Sequence, residues 1–313
     1  MFKNHKYLSL LAALLLAVFV LSACQPAIPD SNADGAGVPT VTVSILPLAY
    51  FVERIAGETV NVNVMVGPGE NAHTYAPTPE QMKALEGSVI FFSIGVDYEE
   101  IWLPRFEEIN PDMLIVDSAS GIERISMTAD HDHDDEADPS AEESPDHDKA
   151  GGLDPHVWLS PRNGKIIAEN ILAALSELLP ESVDQFQSNT DALYTEIDDL
   201  DAQVRSTLEG AEQRTFMVFH PAWGYFAHDY GLEEIAVQVG GQDPSASEVA
   251  NLVDTAREHD IKVIFVQAGF STTDAQAIAQ EIGGSVAVVD PLAQDWLDNL
   301  KSVAEAFAAA LGQ

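Results

Sequence analysis

The chain has little cysteine and little positive charge. Cys24 is its one cysteine in 313 residues, so an intramolecular disulfide is excluded. Lysine and arginine together number 14 against 51 acidic residues, which gives a formal net charge of −37. This excess argues against nucleic acid or an anionic membrane surface as a partner, because both would repel the protein. It favours cations, although a negative surface also simply keeps a protein soluble.

The N-terminus carries an apolar run that is too short for a comfortable membrane span. Two lysines precede this run, which extends from about Leu8 to Leu21 and ends in the sequence LSAC at Cys24. A transmembrane helix needs roughly 20 apolar residues, whereas a charged start and a small-residue end are typical of a signal peptide. A buried core helix is the alternative, but the polar stretch that follows would not cover it. We therefore expect a signal peptide over residues 1–23.

Cys24 stands where a bacterial lipobox would place the lipidated cysteine. An ordinary cleavage site that happens to precede a cysteine is the alternative. Lipid on the sulfur would tether the protein to a membrane without spanning it. Residues 24–39 are rich in Pro, Gly, Asn and Asp, a composition that predicts a flexible tether between the lipid and the folded part.

Short apolar runs alternate with helical patterns twice along the rest of the chain. This alternation predicts an α/β protein of two lobes, each with a four-stranded, mainly parallel sheet flanked by helices. The N-terminal lobe is expected over residues 40–180 and the C-terminal lobe over 210–313. The likeness between the two lobes is one of architecture only, because the sequence contains no tandem repeat. The predicted strands are 41–46, 60–66, 89–94, 113–117, 215–219, 234–239, 262–267 and 285–290.

Residues 181–209 have apolar side chains at helical spacing. A helix of that length would extend roughly 40 Å, which is enough to join both lobes as a rigid strut. The alternative is an ordinary surface helix of the second lobe.

An acidic, histidine-rich segment over 128–150 interrupts the first lobe. It contains His131, His133 and His147 among many carboxylates and almost no apolar residues, so we expect it to be disordered. It is either a solvated linker or a weak secondary metal site that collects zinc.

Four further residues lie where an open α/β sheet binds ligands, beyond the carboxyl ends of its strands. His73 follows the second predicted strand, His220 directly follows the fifth, and Asp290 closes the eighth. His156 lies just before the helix that Ser160 caps. Each has an ordinary explanation, because a histidine at a strand end is often hydrogen-bonded and an aspartate before proline is often a turn former. Together, three imidazoles and one carboxylate make a plausible tetrahedral zinc site.

The sequences around these four residues resemble the zinc and manganese solute-binding lipoproteins of bacterial metal-uptake ABC transporters. The resemblance is carried by His73 with Tyr75 and Pro77, and by the segments DPHVW (154–158), HPAWGYF (220–226) and DPL (290–292). It covers nearly all the mature chain, and the lipobox is consistent with it. One loop departs from the pattern: many relatives have a sequence like EPQFS where this chain has VQAGFS (266–271).

The resemblance implies a fold, a site and a partner. One metal ion would lie in a cleft between the lobes, held by His73 and His156 from the first and by His220 and Asp290 from the second. Histidine as the third ligand favours Zn²⁺ over Mn²⁺, since manganese prefers more oxygen. The protein would then be a monomer, lipid-anchored at the outer face of the cytoplasmic membrane, that delivers zinc to an ABC transporter membrane permease.

Two other functions compete with this one. A surface adhesin or metal buffer would need a partner-binding face that the sequence does not reveal. A metallohydrolase would need an open coordination position and a general base, and no HExxH motif is present. We therefore expect a binding protein and not an enzyme.

Overall fold

The computed structural model describes residues 37–127, 152–238, 242–267 and 272–312. The chain from Val38 onward forms one compact unit. Its eight strands are β1 Thr40–Ile45, β2 Asn61–Val66, β3 Ser88–Ser93, β4 Leu114–Asp117, β5 Thr215–Val218, β6 Glu233–Ala236, β7 Val263–Val266 and β8 Ser285–Val288. Its helices are α1 Leu46–Ala56, α2 Pro79–Leu85, α3 Asp97–Ile109, α4 Pro161–Leu178, α5 Val183–Leu208, α6 Gly224–Tyr230, α7 Ala246–Glu258, α8 Thr273–Ile282 and α9 Trp296–Ala310.

The strands form two sheets of four, with orders β2-β1-β3-β4 and β6-β5-β7-β8. Every pairing between named strands is parallel. The two orders are the same when each lobe is numbered from its own first strand. The predicted α/β fold with two four-stranded sheets is thus confirmed, and the carboxyl ends of the strands in each sheet lie at one edge.

Predicted helix starts are also confirmed. The Thr78 side chain accepts from the Gln81 backbone while Gln81 reaches back to the Thr78 N–H, so α2 opens with a complete capping box. Ser160 accepts from the Asn163 N–H at 3.1 Å and opens α4. In both cases a proline occupies the first helical turn, where its missing N–H costs nothing.

Helix α5 is the long helix that the sequence predicted between the lobes. Its 26 residues bury one face, which carries Phe186, Leu193, Ile197 and Val204. That face packs on α1 and α4 of the first lobe and on α9 of the second. Because one helix lies against both lobes, its apolar side chains belong to a core that the lobes share.

The lobes also meet directly at a pair of buried indoles. Trp296 Nε1 donates to the Trp158 carbonyl at 2.6 Å, and Trp158 Nε1 donates to the Pro291 carbonyl at 2.7 Å. Gly164 makes this approach possible, since a Cβ on it would lie 2.6 Å from the Trp296 ring. Within the described ranges, no helix combines the length and apolar character that crossing a membrane requires.

Candidate metal centre

Three of the four predicted ligands converge. His73 lies in the loop between β2 and α2, His156 directly precedes a short 3₁₀ helix (Val157–Leu159), and His220 lies two residues beyond β5. One ring nitrogen from each histidine comes within 4.8 Å of the others. His220 Nε2 lies 2.9 Å from His73 Nε2 and 3.3 Å from His156 Nε2. Two of these predicted ligands therefore come from the first lobe and one from the second.

Each imidazole is oriented by an oxygen on its other ring nitrogen. Asp97, the first residue of α3, accepts from His73 Nδ1 at 2.9 Å. This hydrogen bond to His73 also lowers the pKa of the Asp97 carboxyl. The pair lies at the edge of the site, with the His73 side chain 19% exposed and the Asp97 side chain 64% exposed.

His156 is held more deeply. Asp154 Oδ1 accepts from its Nδ1 at 2.8 Å and from its backbone N–H at 2.9 Å, and both side chains are buried. A carboxylate so close in the chain fixes the ring and its backbone together. The sequence signal for this contact was present in the motif DPHVW, where Asp154 precedes His156 by two residues.

The His220 ring faces an amide whose orientation can be assigned. Gln238 Nε2 donates to Asp243 Oδ1 at 3.0 Å, and Gln238 Oε1 lies 3.3 Å from His220 Nδ1. Since a carboxylate can only accept, the Gln238 nitrogen must face Asp243 and its oxygen must face His220. His220 Nδ1 then carries the proton, and Nε2 carries a lone pair.

All three histidines therefore direct Nε2 toward one point, with an oxygen beside each Nδ1. A tetrahedral zinc ion with Zn–N bonds of about 2.0–2.1 Å would separate its nitrogens by about 3.3 Å, close to the two Nε2–Nε2 separations in the structure. Burial lowers the pKa of His220 well below its usual value, and the neighbouring His156 and His73 lower it further. The ring is thus held in the neutral form that a metal requires.

Asp290 lies apart from this cluster in the structure. Its carboxylate is not among the ligand atoms that converge within 4.8 Å. Instead Oδ1 accepts from the Leu292 N–H at 2.9 Å. A small cavity lies beside the histidines. It is lined by Pro291 and Leu292, the two residues after Asp290, and also by Gln267 from the loop that departs from the family pattern. Asp290 as a fourth ligand stays a prediction.

Several predicted residues lie outside the part of the chain that the structure describes. These are the lipidation candidate and the histidines of the acidic segment, namely Cys24, His131, His133 and His147. His228, which the sequence did not favour as a ligand, has a side chain that is 66% exposed. Sequence reasoning missed Asp97 and Gln238, because neither belongs to a motif and each meets its histidine only through the fold.

Comparison with known proteins decides the family. A family model described as "ZnuA: Zinc-uptake complex component A periplasmic" matches residues 41–310. The chain belongs to this family. The family consists of substrate-binding proteins of ABC transporters, which act outside the cytoplasm and are not enzymes.

Zinc-uptake relatives cover most of this chain. The chain is 28% identical over 297 residues to the "High-affinity zinc uptake system protein ZnuA" of Bacillus subtilis, covering 93% of this chain and 90% of that protein. It is 29% identical to the "Zinc-binding lipoprotein AdcA" of Streptococcus pneumoniae R6, covering 92% of this chain but 55% of that protein. The chain thus spans about half the length of this streptococcal relative.

Solved structures agree with both fold and metal. A crystal structure of ZnuA superposes with a TM-score of 0.79 at 39% identity, covering 88% of this chain and all of that one. A zinc-bound deletion mutant of ZnuA gives the same identity and TM-score. These relatives and the three converging imidazoles together support Zn²⁺ as the metal that this chain binds.

Proposed function

We propose that the protein is a high-affinity zinc-binding protein that captures Zn²⁺ between its lobes and delivers it to an ABC permease. One observation carries the proposal: three imidazoles from both lobes direct Nε2 toward one point, and each is oriented by an oxygen on its other nitrogen. Such supporting oxygens fix the tautomer and raise the basicity of a ligating histidine.

The donor set favours zinc over manganese. Imidazole suits zinc, whereas carboxylate, carbonyl and water oxygens suit manganese. We propose Asp290 as the fourth ligand, which would complete a tetrahedral shell of three nitrogens and one oxygen. A filled shell leaves no position for an activated water, as is appropriate for capture without chemistry. The carboxylate would have to turn from the Leu292 N–H toward the histidines.

The parts of the chain around the site complete the proposal. A signal peptide over 1–23 would export the protein, and lipid on Cys24 would anchor it as a monomer at the outer face of the cytoplasmic membrane. The segment with His131, His133 and His147 would be a weak collector that raises the zinc concentration beside the tight site. Deleting 130–149 should then reduce capture at limiting zinc and leave one tight site in place.

Metal titration of the purified protein tests the proposal. Wild type should bind one zinc tightly and prefer zinc when manganese competes. His220→Ala should lose most of this affinity, because it removes the second lobe's imidazole. His228→Ala is the matched control, since its exposed ring lies eight residues further on, and it should bind like wild type.

The opposite outcomes are equally clear. A wild-type preference for manganese, or unimpaired zinc binding by His220→Ala, would refute the assignment. Asp290→Asn tests the fourth ligand separately: weaker zinc binding with an unchanged fold supports it, and unchanged affinity removes Asp290 from the shell.

A further inference from the structure

A second carboxyl group lies close to the carboxylate that orients His156. Glu234 is on β6 in the second lobe, and its side chain is buried. Its Oε1 accepts from the Trp223 N–H at 3.3 Å, in the segment that follows His220. Its Oε2 is buried and has no hydrogen-bond partner among the described residues.

Gly224 lies beside that oxygen. A Cβ placed on Gly224 would lie 2.7 Å from Asp154 Oδ2 and 3.7 Å from Glu234 Oε2. The missing side chain therefore leaves a gap that carboxyl oxygens from both lobes border. Asp154 uses its other oxygen, Oδ1, to hold His156.

Two ionised carboxylates in this buried gap would repel one another. The nearby cation, Arg124, donates to backbone carbonyls of Ile94 and Asp154 at 3.0 and 3.5 Å, and Tyr225 donates its hydroxyl to the same Asp154 carbonyl at 3.0 Å. Neither contact neutralises the pair of side chains. Burial, and after it the Asp154 charge, raises the pKa of Glu234 to about 8. At neutral pH Glu234 is therefore a carboxylic acid, with a proton to donate.

We propose that Glu234 is a positioning residue of the metal centre, an acid that supports the Asp154 carboxylate from the opposite lobe and so keeps His156 aligned with His220. The inference rests on the proposed zinc function. Oε1 of the acid accepts from the chain after His220, and Oε2 borders the gap at Gly224 that Asp154 Oδ2 also borders, while Asp154 Oδ1 orients His156. The two deepest ligands are thereby linked across the lobes through one side chain.

Zinc affinity at pH 7 is the first test. Glu234→Leu keeps the bulk but removes both polar contacts, and should weaken zinc binding by about tenfold, the lower end of the effect of losing a residue that supports a ligand. Glu234→Gln has the shape and the neutral charge of the acid, and should recover most of that loss. Glu233→Gln removes an exposed carboxylate one residue away and is the matched control.

The pH dependence of stability is the second test, and needs no metal. Because the pKa of Glu234 is raised from 4.5 to about 8, its contribution is complete below pH 4.5 and is lost as the pH rises to about 8. The Tm difference between Glu234→Gln and wild type should therefore increase over that window and then stay constant. Glu233→Gln should show no such trend.

Each result decides the inference. If Glu234→Leu binds zinc like wild type, the residue is structural only, and if Glu234→Gln binds as weakly as the leucine variant, the acid form is wrong. A Tm difference for Glu234→Gln that does not change with pH also refutes the acid form, and this arm remains decisive where the leucine variant fails to fold. Failure of wild type to bind zinc would instead refute the proposed function itself.

Discussion

The two lobes have the same sheet order, and among the described residues each buries one glutamate, but the hydrogen bonds of the two glutamates differ. In the first lobe, both oxygens of Glu99 accept N–H groups from the adjacent Ile94 and Gly95, at 3.0 and 2.8 Å. In the second lobe, Glu234 Oε1 accepts from the Trp223 N–H, while Oε2 borders the same gap at Gly224 as Asp154 Oδ2 of the first lobe. Both oxygens of Glu99 are thus hydrogen-bonded within its own lobe, whereas Glu234 Oε2 has no hydrogen-bond partner among the described residues and borders the gap beside Asp154 of the other lobe.

This difference explains how a site shared by two lobes can be oriented before metal arrives. The first lobe supplies His73 and His156 with their own carboxylates, Asp97 and Asp154. The second supplies His220 with the neutral Gln238. A metal ion at the proposed site would join these two halves, so contacts across the boundary determine how far the halves are aligned before it binds.

Removing the indole that joins the lobes should have the largest effect. Trp296 is 1% exposed, packs on Gly164 and donates to Trp158. Trp296→Ala should lower the free energy of unfolding by about 3–5 kcal/mol, the usual cost of deleting a buried aromatic side chain. Denaturant unfolding of the metal-free protein measures the loss, and zinc titration should show weaker binding as well.

Trp102→Ala is the control for this comparison. Trp102 lies on α3 of the first lobe, is only partly buried and stacks on Arg105. Its removal should cost clearly less and leave zinc affinity unchanged. Equal losses in the two variants would show that the lobe boundary has no special role.

Glu99→Gln should lower the free energy of unfolding, whereas Glu234→Gln should not. The amide nitrogen would replace an oxygen that accepts a backbone N–H, so two donors would face each other in a buried place. We expect a loss of about 1–3 kcal/mol at pH 5, the cost of an unsatisfied buried donor. Thermal unfolding of the two variants side by side measures the contrast.

The stability difference between wild type and Glu99→Gln should also depend on pH. Burial raises the pKa of Glu99 from 4.5 to about 7. Wild type therefore has the full contribution of Glu99 below pH 4.5 and loses it as the pH rises to about 7. The stability deficit of Glu99→Gln should narrow over that window and level off above it. A deficit that widens with pH would contradict this assignment.

The smallest expected effect on zinc affinity comes from changing the capping boxes of α2 and α7, one in each lobe. Gln81 does more than cap α2: its Oε1 accepts from Tyr75 at 2.5 Å and its Nε2 donates to Met65 at 2.6 Å, which ties the His73 loop to the end of β2. Gln81→Ala should weaken zinc binding by up to about tenfold, because it loosens a residue that supports a ligand's loop.

Glu248→Ala removes the equivalent capping residue of α7 in the second lobe. In the part of the chain that the structure describes, its side chain is hydrogen-bonded to Ser245, at the start of the same helix. Zinc titration should therefore not distinguish this variant from wild type. An equal loss of affinity in both variants would mean that capping in general, and not the His73 loop, supports the site.

Much of the fold was predictable because its signals are local. Alternating apolar runs located all eight strands, and Thr78 and Ser160 marked helix starts that the structure confirms. The candidate site was predictable in part. His73, His156 and His220 follow or adjoin strand ends, and parallel strands bring such ends to one edge. Asp290 met the same criterion, yet its carboxylate caps Leu292 in this structure.

The sequence by itself therefore determined the strands from which the sheets are built, the long helix and three histidines of the candidate metal centre, since each depends on periodicity, caps or strand ends. Only the tertiary structure decided which oxygen orients each ring, and that Glu234 and Asp154, 80 positions apart, border one gap at Gly224. The physical reason is that a side chain in a loop is oriented by whatever packs against it. For His73, His220 and Asp154, those neighbours come from distant segments that no local pattern connects.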